Sequence, residues 1–187
     1  AKAKIKGAGI PFAVPSDHLL PERLGAVLAV VYLIFNEGYG GRIDLATEAI
    51  RLGRVLAGLM PDEPEALGLL ALMLLHDARR DTRFADGDLV LLEDQDRARW
   101  NRTQMVEGRS FLARARALRA PGPYVLQALI AALQTEDPVD WRQIALGYDE
   151  LVRVTASPVV ELNRAVAVAH VQGPEAALAI VDRLALD

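Results

Sequence analysis

The 187-residue chain has no cysteine, three histidines and only ten aromatic residues. Without cysteine there is no disulfide scaffold, no thiolate-held zinc or iron–sulfur cluster and no thiol nucleophile. A cysteine-free chain also fits a reducing compartment, so a cytoplasmic location is expected. Long apolar runs are lacking too. Uncharged stretches such as Gly25–Asn36 and Ala66–Leu75 fall far short of the roughly 20 residues a membrane span needs, and no membrane partner is expected. A basic excess is missing: 21 Lys plus Arg stand against 25 Asp plus Glu. A domain built mainly for nucleic acid carries a basic surplus, because phosphate neutralisation supplies most of the affinity. The local exception is Lys2, Lys4 and Lys6 at the start. Catalytic motifs are absent: there is no H-E-x-x-H, G-x-S-x-G, Walker A loop or G-x-G-x-x-G. His18, His76 and His170 each lack a second ligand at helical spacing, so they read as packed or surface histidines. Neither a cofactor nor an enzymatic activity is expected.

What is present is helix. Ala (30) and Leu (29) make up about a third of the chain, and 52% of residues are hydrophobic, which excludes global disorder. Residues 10–21 hold Pro11, Pro15 and Pro21 and read as an extended linker. From Leu24 the apolar positions run Val27, Leu28, Val31, Ile34 and Phe35 at helical spacing, up to the glycines at 38, 40 and 41. Asp44 is placed to cap a second helix with an inward face of Leu45, Ala49, Leu52, Leu56 and Leu59. A third runs from Pro64 to about Arg80 and is apolar nearly all round, which predicts a central position. After a non-helical segment near 86–95, a fourth is expected from about Arg97 to Leu118, with Trp100, Met105 and Leu112 inward. Helices near 124–135, 141–154, 158–171 and 175–184 follow, separated by short breaks that favour antiparallel neighbours. Small residues at Ala165, Ala167, Ala169, Ala176 and Ala177 around Gly173 have a tetratricopeptide flavour without a clean period. The expectation is all-α: an irregular, tetratricopeptide-like stack of helix pairs over residues 22–187.

Two segments offer candidate interaction residues. Asn36, Glu37 and Tyr39 sit at a helix end, where they serve either as cap and lid or as the wall of a groove. Asp86, Asp88, Glu93, Asp94, Gln95, Asp96, Arg97 and Trp100 lie in the irregular segment. Their carboxylates fall short of a calcium loop, because the apolar run Leu89–Leu92 breaks the alternation and no terminal Glu follows. Turn, cap and surface roles are favoured over metal binding. Arg97, Gln95 and Trp100 are residue types favoured at interfaces, but equally able to pin the loop onto neighbouring helices.

Several longer runs resemble a known family. Val31–Tyr39 (VYLIFNEGY), Glu48–Leu52, Leu70–Arg79 (LALMLLHDAR), Leu91–Trp100 (LLEDQDRARW) and Ser157–Ala167 (SPVVELNRAVA) resemble the C-terminal helical extension of bacterial extracytoplasmic-function (ECF) RNA polymerase sigma factors. The resemblance implies a regulatory, protein-interaction region of a transcription-initiation factor. It implies that residues 1–9 are the tail of the promoter-reading helix-turn-helix domain. It implies RNA polymerase core and promoter DNA as partners, bound through sigma domains absent from this chain, with an intramolecular or protein partner for the helical region itself. At one position the pattern departs: many members have His where this chain has Gln134. Two other readings stay open, a small-molecule or metal-binding helical domain using the acidic 86–96 loop, and a free-standing tetratricopeptide-like adaptor.

Overall fold

Apolar side chains spaced three and four residues apart wind into eight α-helices among the residues that the computed structural model describes, namely 20–39, 43–85, 87–118 and 121–185. The expected tail at 1–9, the linker up to residue 19, Asp86 and the side chain of Tyr39 lie outside that description. The helices are α1 (Leu20–Tyr39), α2 (Ile43–Leu59), α3 (Pro64–Asp77), α4 (Arg102–Leu118), α5 (Pro123–Leu133), α6 (Trp141–Thr155), α7 (Pro158–Gln172) and α8 (Pro174–Leu184). Among the described residues the fold is all-α apart from one hairpin of two-residue strands, Phe84–Ala85 paired antiparallel with Asp88–Leu89.

The helix α3 is the hub. Every residue from Ala66 to Leu75 is buried, as a helix apolar on all sides requires, and α1, α2, α4 and α5 all pack on it. Approach to α5 is close enough to demand glycine: a Cβ at Gly68 would stand 2.7 Å from the Val125 backbone nitrogen. Glu65 on α3 also reaches across to the start of α5. Its carboxylate accepts the backbone N–H groups of Tyr124 (2.9 Å) and Val125 (3.2 Å). The residue in the cap position of α5, Gly122, has no side chain to do this. From α5 onward each helix packs on its sequence neighbour, α5 on α6, α6 on α7 and α7 on α8. The apolar core thins along the way. The main cluster surrounds α3, a second joins Leu126 and Ile130 to Ile144 and Leu151, and among the described residues the last holds Ala165, Val168 and Ile180 as its buried members.

Three expectations change. On α2 the expected Ala49 is buried and Leu52 and Leu56 pack against the core from partly buried positions, but Ala46, Ile50 and Ala57 join the buried face and Leu59 is 74% exposed. Small residues face inward because α2 lies close against its neighbours: Gly38 backs onto Ala46, and Gly53 onto Met73. The helix α3 ends at Asp77, three residues early. Asn101 N–H and Thr82 Oγ1 take the carbonyls of Ala78 and Arg79 (2.9 and 3.0 Å) and turn the chain aside. The helix α4 begins at Arg102, not Arg97. Residues Arg97–Arg99 form a separate 3-10 turn capped by Asp96, Trp100 is extended, and Asn101 Oδ1 accepts the Gln104 N–H to start α4.

Candidate interaction site

The segment between α3 and α4 is an irregular excursion mounted on the helices at its base. The Trp100 ring is buried at its base, and its Nε1–H donates to Thr82 Oγ1 at 2.9 Å. The Arg97 guanidinium lies 4.9 Å from the ring centroid and the Arg79 guanidinium 5.8 Å, both within cation–π range. Arg97 Nη1 also donates to the Glu136 carbonyl at 2.8 Å, tying the segment to the turn that follows α5. Gln95 Nε2 donates to the Val90 carbonyl, and Asp96 Oδ1 accepts the Ala98 N–H. Asp77 holds the other flank, accepting from Gln104 Nε2 at 2.7 Å and pairing with Arg80. Of the residues the sequence nominates, Gln95, Asp96, Arg97 and Trp100 thus form the mount, while Asp88, Glu93 and Asp94 are exposed on the segment itself. Beside them stand exposed Phe84, Leu89 and Leu91, which the sequence reading did not nominate. Asn36 and Glu37 are exposed at the end of α1. Among the described residues, no hydrogen bond or ion pair joins them to the segment. Nor does any group of three His, Asp or Glu among the described residues sit in metal-ligating proximity.

A second feature lies on the inner side of the stack, a cavity of about 210 Å³. The helix α5 and its C-terminal cap contribute one face to it, Gln127, Ile130, Ala131 and the cap residue Gln134, the i, i+3, i+4, i+7 pattern of a single stripe. The helix α3 supplies Leu72 and His76, and α6 supplies Tyr148 and Leu151. Val160 and Asn163 of α7 and Tyr32 of α1 complete it. Tyr32 is braced edge-on by Tyr124, ring centroids 5.7 Å apart. Burial, reinforced by the positive charges of Arg79 and Arg83, lowers the His76 pKa to about 3, so the imidazole is neutral at physiological pH. Burial, then the proximity of Tyr32, raises the Tyr148 pKa above its ordinary value. Arg79 joins the two features. It is itself buried, with Nη2 3.4 Å from Gln134 Oε1 and 3.5 Å from His76 Nδ1, and its guanidinium reaches the Trp100 ring.

Sequence reading passed over most of this cavity. His76 reads as a packed histidine in isolation, and Gln134 stands out only as a departure from a pattern. The available signal is the pair of glutamines two turns apart, Gln127 on the largely apolar α5 and Gln134 at its C-terminal cap.

A family model described as a family of unknown function, DUF6596, matches residues 23–116, half of the chain. The chain belongs to the DUF6596 family. In this DUF6596 member the matched stretch covers nearly all of α1, then α2, α3, the mounted segment and nearly all of α4. The α5, α6 and α7 walls of the cavity lie beyond it. The chain is also similar to the uncharacterized protein R00370 of Rhizobium meliloti (strain 1021), 50% identical over 196 residues, which span 98% of this chain and 46% of that protein. The DUF6596 chain thus spans about half the length of the curated relative it matches. No solved structure matches it.

Proposed function

We propose that this chain is a regulatory, protein-interaction region of an ECF sigma factor, acting without catalysis. The remaining domains of that protein would direct RNA polymerase core to promoter DNA. The resemblance of the runs at 31–39, 70–79, 91–100 and 157–167 supports the transcription reading. The observation that carries an interaction role is the mounted segment. An irregular excursion of this length inside a helical stack is uncommon unless it serves binding, and this one is held by Trp100, Arg97, Asp96 and Asp77. Its outer side sets Phe84, Leu89 and Leu91, 48%, 59% and 59% exposed, beside Asp88, Glu93 and Asp94. Exposed apolar groups interspersed with charge on a mounted segment are the makings of an interface anchor. A basic-rimmed protein surface is the complementary partner.

The test uses the full-length protein. The double variant Leu89→Ser/Leu91→Ser is expected to lower promoter-driven transcription severalfold with the thermal midpoint unchanged, because both side chains are already in solvent. Arg97→Ala is expected to lower it as well, by loosening the mount. Full transcription in both variants overturns the interaction role. Failure of the full-length protein to retain polymerase core in a pull-down overturns the sigma-factor reading.

A further inference from the structure

The inner cavity has the chemistry of a ligand site, and that chemistry is specific. None of its lining residues is Asp, Glu, Lys or Arg, and its one imidazole is held neutral. A charged guest would be partly desolvated with no counter-charge in the lining itself, which is unfavourable. Arg79 stands just behind the wall and disfavours a cation further. Its Nη2 is turned toward Gln134 and His76.

The polar groups that remain are paired in kind. Arg79 donates to Gln134 Oε1, which sets the amide so that its Nε2–H₂ is left as a donor. Gln127 does the reverse. Its Nε2 donates to the Pro123 carbonyl at 3.2 Å, which leaves Oε1 as an acceptor. Across from α5, the Tyr148 hydroxyl and the Asn163 amide make no hydrogen bond among the described residues. The wall therefore offers both donors and acceptors between the apolar surfaces of Leu72, Ile130 and Leu151. The volume of about 210 Å³ equals that of roughly seven liquid waters, room for a single ring bearing one polar substituent.

We infer that this cavity binds a small, uncharged molecule carrying an amide or lactam group, whose carbonyl accepts from the wall's donors and whose N–H donates to its acceptors. The site meets the mounted segment through Arg79, but the inference does not depend on that segment binding a protein.

Three nearly isosteric probes decide it: benzamide, benzoate and benzamidine, titrated at millimolar concentration into the 187-residue chain and read by thermal shift and ligand-detected NMR. Benzamide is expected to raise the midpoint, since a ligand of the folded state stabilises it. Benzamidine is expected to give no shift, and benzoate a smaller one than benzamide. Tyr148→Phe, which removes one hydroxyl and no volume of consequence, is expected to weaken benzamide about three- to tenfold. Asn163→Ala, at an exposed position, is expected to weaken it similarly with the free protein equally stable. No binding of benzamide, binding of either charged probe as tight as benzamide, or unchanged benzamide affinity in both variants overturns the proposal.

Discussion

A neutral histidine beside two arginines ties the stability of this protein to pH. In the unfolded chain His76 titrates near its ordinary value of about 6.5, and in the folded protein near 3. Between those values the unfolded state binds the extra proton. The contribution of His76 is therefore complete above about pH 6.5 and is lost as pH falls toward 3, at up to about 1.4 kcal/mol per pH unit. Glu65 acts in the opposite sense, because burial raises its pKa in the fold. Its contribution is present below the ordinary carboxylate range and lost as pH rises through the folded value. Urea denaturation of wild type and His76→Gln at steps from pH 7 to pH 4 separates the two. Wild type is expected to lose stability more steeply below pH 6, and the difference between the curves is expected to vanish at neutral pH apart from a constant offset. Parallel curves over the whole range would contradict a buried neutral imidazole. At this scale the sequence was least informative. His76 follows an apolar run, but nothing local announces that Arg79 and Gln134, 55 residues apart in the chain, close around it.

Between elements, the clearest device is a helix cap supplied at a distance. Glu65 lies 59 and 60 residues before the N–H groups it accepts, and Gly122 leaves α5 without a cap of its own. Glu65→Ala is expected to cost about 1–2 kcal/mol in chemical denaturation, the range for losing a good N-cap, with α5 amides exchanging faster. Loss of stability with α5 exchange unchanged would place the effect elsewhere. Helix existence was legible throughout, because Pro, Gly and capping residues punctuate every break and the periodicity between them is strong. Rotation and ends were less so. The buried face of α2 took in Ala46, Ile50 and Ala57 and gave up Leu59 because the distance between packed helices, a property of the pair, sets which side chains fit at closest approach. The start of α4 moved to Arg102 because Trp100 gains more from Thr82, Arg79 and Arg97 in an extended turn than it would as a helical residue.

As a whole molecule the protein has a stability gradient. The helix α3 is buried on all sides, whereas α8 rests on α7 through a cluster with three buried residues among those described. In a stack where each helix touches mainly its neighbours, local opening follows the thinnest interface. Hydrogen exchange is expected to show α8 amides exchanging first, then α7, with α3 exchanging only through global unfolding. Uniform protection across all eight helices would show that the stack behaves as one cooperative unit. The same gradient places the cavity at the junction between the α3-centred core and the chain of neighbours that follows it. There α1 and α3 meet α5, α6 and α7.

By itself the sequence determined the all-α class, eight helices, the central place of the Ala66–Leu75 run and the irregular break before α4. All of these follow from periodicity and punctuation, which are local. Only the tertiary structure decided what the polar residues do. It set Trp100, Arg97 and Asp96 to holding a segment in place and brought Gln127, Gln134, Tyr148, Asn163 and His76 to one cavity. The physical reason is range. A helix face is written in residues three and four apart, whereas a hydrogen bond spanning 39 or 55 residues depends on how whole helices dock, and that is set by the packing of surfaces far apart in the chain.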